Sequence, residues 1–450
     1  MGWQSCKIYE GKIETEIMGD RIKVVWICSV SNQQLRSHLD LGVPVWHKII
    51  RMFLRHKISD EVVDTAVWNT NALRTFSTID DIDLHVIFTH SKMRKSIQRF
   101  KDSNINYYAV NGGDTLFRTF FLLHIKPERV KYKKTWGIIT NVVNELQPDI
   151  IHIMGAENPQ YSLSILQLPK TIPIIVQLQT LLNDPDLIKY RGSRQYKPKI
   201  NCEYKVLQRG DFIGTASTIF RQKIRQIKQD AVFVNTRLLI AEDLDMADNN
   251  KCYDFVYFAN YIHKAIDLAI EAFALICKKR AELTLDVIGG ASAEELRLLD
   301  KRLKELGISA NVTIEGKLPT HDDVLKQIKK ARFALLPLKT DMVSGTIREA
   351  MWSGLPVVST ITQGTPFLNE KRESILLSEI GDYEAMAKNM ARLIDDENLV
   401  KLLRSNAAIT VEERYGGNTD KAKEWVLAYR ACIENFHNGT PLPDNVVNKN

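Results

Sequence analysis

Short apolar runs separated by helical patterns occur in two sets along this chain of 450 residues, and they constrain its fold more than any other feature. In the first half of the chain the runs are residues 23–27, 84–88, 149–154, 173–176 and 212–214. In the second half they are residues 254–258, 283–288, 311–314, 333–338 and 356–359. Strands that alternate with helices favour parallel sheets, because parallel neighbours need a long crossover connection. We therefore predict an α/β protein with two Rossmann-like, doubly wound domains that face each other across a cleft.

A polar segment between the two sets predicts the domain boundary. The apolar pattern is lost over residues 235–252, so we predict one domain over residues 1–240 and a second over residues 241–415. Residues 416–450 would form a last helix and a frayed tail. The helix has four large apolar residues on one face, namely Trp425, Val426, Tyr429 and Ile433. A helix that crosses back to the first domain and one that packs on the second both fit this pattern.

One segment of the second set predicts a complete β-loop-α-β unit. The apolar run 333–338 leads into the polar loop 339–345 and then into a helix-forming segment, 346–352, which Gly354 and Pro356 end. The crossover is expected to be right-handed. The loop and the start of the helix would then lie at the carboxyl edge of a parallel sheet, where open α/β folds bind their ligands.

The residues of this loop suit a ligand that carries both phosphates and hydroxyl groups. Ser344, Gly345 and Thr346 would present backbone N–H groups at a helix N-terminus, where the helix dipole favours an anion such as a diphosphate. Asp341 and Glu349 flank this turn, and a carboxylate can accept hydrogen bonds from a vicinal diol. A nucleotide sugar has this layout, with a ribose diol, a diphosphate and sugar hydroxyls.

Helix capping is an alternative explanation for part of the segment. Thr346 and Glu349 have the spacing of a capping box, and acids are favoured in first turns whatever the function. Capping does not explain Asp341 or the pair Ser344–Gly345, so the complete pattern favours the ligand site.

The pattern from Asp341 to Glu349, followed by Ala350–Met351 and by Gly354 and Pro356, resembles the signature of the family 4 retaining glycosyltransferases. That family has the GT-B fold and usually shows two glutamates separated by seven residues, so Asp341 stands at the place of the first glutamate. The resemblance implies that the N-terminal domain binds the acceptor. It implies that the C-terminal domain binds the nucleotide-sugar donor.

A second segment, residues 254–273, resembles the strand, loop and helix of the same family that bind the diphosphate. Counting back from its end, Lys264 falls on the family's diphosphate-binding lysine. The family's arginine is missing a few residues earlier, where Asn260 stands, and Lys339 and Arg348 are the nearest other cations. The next predicted strand ends in a glycine turn, so Gly289 would also border the donor.

The resemblance is weaker on the acceptor side. Gln179 stands where the family often has a histidine near the sugar, and glutamine cannot shuttle protons at neutral pH. His152 could replace that histidine, although a histidine within an apolar strand is more often a residue of the core. Trp68, Asn69 and Asn71 could stack on a sugar and hydrogen-bond it, with core packing as the alternative.

The mechanism that the resemblance implies needs no cofactor. In that family the leaving diphosphate takes the proton of the acceptor, while the protein positions both substrates and stabilises the departing charge. No Asp-x-Asp pattern stands in a metal-binding context, because residues 80–83 are followed directly by a strand and indicate a turn. We therefore expect no metal requirement.

Composition limits the partners and the compartment. The formal net charge is +7, which is too small to indicate nucleic acid. The basic stretch 126–134 could contact an anionic membrane, although a solvated helix start is the slightly favoured explanation. No run approaches the length of a membrane-spanning helix. The six cysteines show no metal-ligand spacing and suggest reduced thiols. We expect a cytoplasmic protein, with peripheral contact at the inner membrane face as an option.

Together with the residues of the loop, the resemblance implies a retaining hexosyltransferase that uses a nucleotide-diphosphate donor and elongates a glycan or a lipid-linked saccharide, in polysaccharide or glycoconjugate biosynthesis. In this prediction Lys264 neutralises the diphosphate, Glu349 binds the ribose and Asp341 binds the donor sugar. Two alternatives remain open: a GT-B nucleotide-sugar epimerase, and a non-catalytic GT-B subunit that binds a partner or a glycan.

Overall fold

The computed structural model describes most of the chain. The described residues are 21–42, 64–112, 127–178, 180–184, 196–215, 218–239, 250–261, 265–339, 345–362, 364–415 and 417–447, and of residues 127–131, 219, 260 and 261 it describes the backbone only. Two sheets organise these residues, as the two sets of apolar runs predict.

The first sheet has eight strands in the described part of the chain, in the order β3-β4-β2-β1-β5-β6-β7-β8. The strands are β1 (Ile22–Cys28), β2 (Ile82–His90), β3 (Ile97–Asp102), β4 (Ile105–Asn111), β5 (Ile150–Met154), β6 (Ile174–Gln177), β7 (Phe212–Gly214) and β8 (Val232–Val234). The α-helices that the structure describes in this domain are α1 (Gln33–Ser37), α2 (Val67–Phe76), α3 (Pro127–Leu146), α4 (Lys197–Arg209) and α5 (Thr218–Arg225). All neighbours pair in parallel except β3 and β4, which form an antiparallel hairpin at one edge.

Within the described residues the second sheet has six strands in the order β11-β10-β9-β12-β13-β14, and the pairs between them are all parallel. The strands are β9 (Tyr253–Tyr261), β10 (Leu285–Gly290), β11 (Val312–Gly316), β12 (Ala331–Leu335), β13 (Val357–Thr360) and β14 (Leu376–Ser378). The helices that follow along the chain are α6 (Ile266–Cys277), α7 (Ala293–Leu306), α8 (His321–Ile328), α9 (Gly345–Trp352), α10 (Tyr383–Asp395) and α11 (Glu397–Tyr415). The strand order reverses between β9 and β12, which is the topological switch point of a doubly wound sheet.

Each sheet is covered on both faces by an apolar core, and its central strands are buried almost throughout, whereas the edge strands β3 and β11 are half-buried or exposed. In the first domain, one core contains Trp26 and Phe76 and the other contains Val25 and Ile151. The second domain has its own two cores on the faces of its sheet, and their buried members all lie between residues 255 and 411. The prediction of two doubly wound parallel domains is confirmed.

The last long helix, α12 (Asn418–Asn438), packs on the first sheet. The ring of Trp425 lies 5.7 Å from that of Trp26 and 5.6 Å from that of Phe76. The Trp26 indole donates a hydrogen bond of 3.0 Å to the Tyr429 hydroxyl. A short helix, α13 (Asp444–Val447), lies beside β8 at the edge of the same sheet. There the backbone N–H of Asn235 donates a hydrogen bond to the backbone carbonyl of Val446.

Arg237 lies where the chain leaves the first domain, and it contacts both helices at the point where the chain returns. Its guanidinium donates to the Glu413 carbonyl of α11 at 3.4 Å and pairs with the Glu424 carboxylate of α12 at 2.9 Å. Its own carbonyl accepts from the Trp425 indole at 3.0 Å. The two connections between the domains are therefore bound to each other. The boundary near residue 240 stays a prediction, because residues 240–249 lie outside the described residues.

No helix in the described ranges is both long and apolar enough to cross a membrane.

Candidate functional site

The carboxyl edge of the second sheet holds the segment that the sequence predicts as the donor site. Strand β12 ends at Leu335, beside β9, and the chain then leads to α9, which begins at Gly345. Thr346 is the second residue of this helix. Asp341 and Ser344 belong to residues 340–344, outside the described residues, so their predicted roles stay predictions. The same holds for Lys264, which belongs to residues 262–264.

Two other predicted donor residues lie at the same edge. Asn260 is near the end of β9, where the structure describes its backbone only. Gly289 is at the end of β10 with a φ of +152°, and the pairing of β10 with β9 shifts register between Ile288 and Gly290. A glycine there lets the backbone form this irregularity, because side chains disfavour that φ.

Helix α9 is held by its buried face and by a cation–π contact. Ile347, Ala350 and Met351 are buried in the second domain. The guanidinium of Arg348 lies 4.8 Å from the centre of the Tyr415 ring and is also buried. Lys339 pairs with Asp267 at 2.7 Å. The two nearest alternative cations therefore make contacts within the protein, and neither is an obvious substitute for the missing family arginine.

Glu349 faces His321 across the space between α9 and the N-terminus of α8. The Glu349 Oε1 and His321 Nε2 atoms are 3.2 Å apart, and their side chains are 18% and 17% exposed. Because α9 begins at Gly345, Glu349 lies beyond its first turn and Thr346 lies inside the helix. The capping-box explanation needs Thr346 as the residue before the helix, and it is therefore wrong.

His321 is in an acidic environment. Burial by itself would lower the pKa of its imidazole, but the carboxylates of Glu349, Asp322 and Asp64 outweigh burial and raise the pKa above its ordinary value. Its position at the start of α8 is fixed by a capping box in which Thr320 and Asp323 bond each other's backbone N–H groups. The sequence indicates only that a helix opens here, because nothing in it relates His321 to Glu349.

His321 and Asp322 also line a cleft of about 330 Å³ between the two domains. Its other wall is formed by the start of α1 and by one face of α2 that includes Asn71 and Arg74. Arg74 approaches Asp322 across the cleft at 3.5 Å, with both side chains more than half exposed. Ligand pockets are commonly concave, of about this size or larger, and carry a few polar groups that fix the ligand.

Asn71 is the most distinctive polar residue of this cleft. It is only 6% exposed, and its side chain has no hydrogen-bond partner among the residues that the structure describes. Buried amides normally have partners, so an unpaired one that lines a cleft suits a hydroxyl-bearing ligand. The neighbouring Asn69 instead donates to the Ser29 carbonyl at 2.8 Å, and Trp68 packs against the first core.

His152 does not reach any cleft, and the prediction that it contacts the acceptor needs correction. It has no exposed surface, and its Nδ1 lies 2.7 Å from the Tyr429 hydroxyl beneath α12. Burial lowers the pKa of His152 to about 3, so it is a neutral residue of the core. Gln179, which stands at the place of the family's histidine near the sugar, lies outside the described residues.

The loop beside Gln179 is anchored by a buried carboxyl group that the sequence does not reveal. Glu203 of α4 has no exposed surface and accepts hydrogen bonds from the amides of Leu182 and Asn183 at 2.9 and 2.8 Å. Burial raises the pKa of Glu203 to about 7. Its role is to hold this turn at the carboxyl end of β6.

Comparison with solved structures decides the fold. Sucrose-phosphate synthase from Thermosynechococcus elongatus superposes with a TM-score of 0.65 at 14% identity, covering 91% of this chain and 98% of that one. The fold is GT-B. A second GT-B structure, the apo form of the lipopolysaccharide outer core galactosyltransferase WaaB, gives a TM-score of 0.53 at 16% identity and covers 90% of this chain and 99% of that one.

Part of the chain also matches a sequence family. Residues 253–396, within the second GT-B domain, match the family described as Glycosyl transferases group 1. No curated protein sequence matches the chain significantly. The pneumococcal O-GlcNAc transferase GtfA, solved in complex with UDP and GlcNAc, is similar over 66% of this chain and 60% of its own, with a TM-score of 0.54 at 13% identity. The family match and the fold together support a GT-B glycosyltransferase.

Proposed function

We propose that this chain is a retaining glycosyltransferase that moves a hexose-type sugar from a nucleotide-diphosphate donor to a growing glycan or a lipid-linked saccharide. One observation carries the proposal. The carboxylate of Glu349 stands on a helix that begins at the switch point of the second sheet, and through His321 it borders the cleft between the domains. Doubly wound folds bind ligands at this point.

Each donor group then has a candidate partner. The amides of Ser344, Gly345 and Thr346 would bind the diphosphate, because N–H groups at a helix start attract anions. Lys264 would neutralise the charge that develops as the diphosphate leaves. Glu349 would accept hydrogen bonds from the ribose diol, and Asp341 would bind the donor sugar. Asn260 and Gly289 would border the nucleotide.

The acceptor would enter from the cleft. Asn71 offers an amide on the wall of the first domain that has no partner among the described residues, and a saccharide hydroxyl can pair with it. Gln179 would contribute from the neighbouring loop. As in the mechanism of the resembling family, the leaving diphosphate would take the acceptor proton, and the product would keep the donor's anomeric configuration.

Donor binding is the first test. Thermal-shift and calorimetric titrations with UDP, GDP and ADP would be run on the wild type, on Glu349→Gln and on Glu305→Gln, a control on the exposed surface of α7. UDP leads the panel because GtfA was solved with UDP. We expect binding of one nucleotide that weakens about tenfold or more in Glu349→Gln only, since hydrogen bonds to charged groups contribute about 1.5–3 kcal/mol.

Sugar transfer, retention of configuration, the two alternative functions and metal independence are tested by separate assays. Nucleotide release from the matching nucleotide sugar, with the anomeric configuration of the product read by NMR, tests transfer and retention. Conversion of the donor sugar without any acceptor would favour an epimerase. Glycan binding without nucleotide binding would favour a non-catalytic subunit. Activity that survives EDTA would support independence from a metal.

A cytoplasmic position with contact to an anionic membrane belongs to the same proposal. Lys133 and Lys134, within the basic stretch 126–134, are exposed on α3. Co-sedimentation with phosphatidylglycerol vesicles should occur at low salt and decrease at high salt, because such contacts are screened. No binding at low salt would contradict the membrane contact.

A further inference from the structure

The contact between His321 and Glu349 joins two parts of the second domain that are distant in sequence. His321 is the first residue of α8, and Glu349 is the fifth residue of α9. The His321 Nε2 atom is buried and has no well-directed hydrogen bond among the described residues, and the Glu349 oxygen at 3.2 Å is its ion-pair partner. Both side chains are more than four-fifths buried, so water screens their attraction far less than that of an exposed ion pair.

We propose that His321 is a positioning residue for the donor: it holds the Oε1 atom of Glu349, so that the Oε2 atom is presented to the ribose diol. This inference rests on the proposed donor function of Glu349. A carboxylate that lacks such a partner can rotate about its terminal torsion, whereas one fixed oxygen defines the direction of the other. The imidazole holds this carboxylate best when it is protonated, because both of its nitrogens are then donors.

The charges around the pair favour that protonated form. Glu349 faces His321 from α9, Asp322 is its neighbour in α8, and Asp64 faces it from the segment before α2. Two arginines lie beside these carboxylates: Arg74 of α2 approaches Asp322 at 3.5 Å, and Arg36 of α1 pairs with Asp64 at 2.8 Å. The carboxylates nevertheless outweigh burial, so the imidazole stays charged over a wider range of pH than an isolated histidine.

The expected consequence is a pH dependence of donor binding. Because the pKa of His321 is raised, the contact is complete below the ordinary histidine pKa of about 6.5 and is lost as the pH rises through the raised value. Nucleoside-diphosphate affinity should therefore weaken with rising pH. Titration of the ligand's own phosphate is common to all protein variants and cancels in the ratio of their dissociation constants.

The experiment compares three full-length variants with the wild type, using the tightest binder among UDP, GDP and ADP. His321→Asn removes the charge, and His321→Lys keeps a cation that does not titrate near neutrality. His85→Asn is the matched control, because His85 also contacts a carboxylate, Asp83, at 2.9 Å but at the opposite, amino edge of the first sheet. Dissociation constants are measured by calorimetry from about pH 6 to pH 8.5, a range that brackets a raised histidine pKa.

We expect His321→Asn to bind about tenfold more weakly than the wild type at the acidic end and to approach it at the alkaline end, because only the charged imidazole forms the partly buried ion pair with Glu349. His321→Lys should show a flatter profile than the wild type, and His85→Asn should match the wild type throughout. Profiles that run parallel for the wild type and His321→Asn would overturn the proposal. So would an equal loss in His85→Asn, which would indicate a general effect on the fold.

A second measurement tests the pairing without any nucleotide. The imidazole of His321 is titrated by NMR in the wild type and in Glu349→Gln, where its pKa should fall because the largest opposing charge is gone. An unchanged pKa would overturn the pairing. If the pKa of His321 falls in Glu349→Gln as expected but the wild type binds no nucleoside diphosphate, the pairing stands and the donor function is contradicted. The two failures are therefore distinguishable.

Discussion

Asp286 is a carboxyl group with no exposed surface near the start of β10, at the edge of the second sheet opposite to the proposed site. Its Oδ2 atom accepts a hydrogen bond of 2.9 Å from Gln327, whereas Oδ1 has no partner in the described part of the protein. Burial, together with the nearby Glu315, raises the pKa of Asp286 to about 6, against the contribution of Gln327. The folded protein therefore binds a proton that the unfolded chain releases.

The raised pKa of Asp286 makes the stability of the protein depend on pH. Stability from this group is present at low pH and is lost as the pH rises from about 4 to about 6, because only the folded form holds the proton there. We expect the free energy of unfolding of Asp286→Asn, relative to that of the wild type, to increase by about 1–2 kcal/mol from the acidic to the neutral condition. This is less than the full pKa shift implies, because solvent screens part of the effect. Urea unfolding at the two pH values measures this. Asp300→Asn, at an exposed position, is the control. If Asp286→Asn differs from the wild type by the same free energy of unfolding at both pH values, the raised pKa of Asp286 is contradicted.

The roles of the two buried histidines show why sequence patterns predict some residues of a site and miss others. The apolar neighbours of His152 predict a buried strand, but its partner Tyr429 lies 277 residues further along the chain. His321 opens a capped helix, and its contact with Glu349 depends on how two helices pack. Glu349 was predicted because its spacing from Asp341 is a local pattern. Contacts between separate elements leave no such pattern.

At the scale of elements, α12 supplies the first domain with part of its core. Trp425 is buried against Trp26 and Phe76, whereas Leu427, two residues later, is half exposed on the opposite face. We expect Trp425→Ala to destabilise the protein by about 3–5 kcal/mol, as for other large core truncations, and Leu427→Ala to change stability by less than about 0.5 kcal/mol. Denaturant unfolding of both variants measures this difference. Similar losses would show that α12 is not held by its buried face.

The sequence predicts buried elements better than edge elements. The ten predicted strands are all present, and all except β11 are largely buried, as continuous apolar runs indicate for strands covered on both faces. β11 is an edge strand with half-buried and exposed residues, and it was predicted from its short apolar run. The hairpin β3–β4 was not predicted, since β3 lies at an edge and alternates exposed and half-buried residues. β8 and β14 are only three residues long. The predicted strand 333–338 ends earlier, at Leu335, and the three residues beyond it extend toward the site.

At the scale of the whole molecule, the second domain is inserted into the first. The chain leaves the first sheet after β8, builds the second sheet, and returns with α12 to the first core. The apolar cores of the second domain are complete between residues 255 and 411. The first domain, by contrast, needs residues from both ends of the described chain.

This arrangement predicts different behaviour for the two separated domains. A fragment of residues 250–415 should unfold cooperatively and keep nucleotide binding, because its sheet and cores are self-contained. A fragment of residues 1–240 should be poorly soluble unless residues 417–447 are supplied, since the surface covered by α12 would be exposed. Circular dichroism and chromatography of the fragments test this. A well-folded fragment 1–240 that gains no stability from residues 417–447 would contradict it.

The contacts of Arg237 with Glu413, Glu424 and Trp425 have a mechanical consequence. Two bodies joined by a single flexible connection can turn about any axis, whereas two connections fastened side by side leave one preferred axis of rotation. The cleft that contains Asn71 and His321 should therefore open and close along one reproducible path. Substrates on opposite walls would meet in the same orientation at each closure.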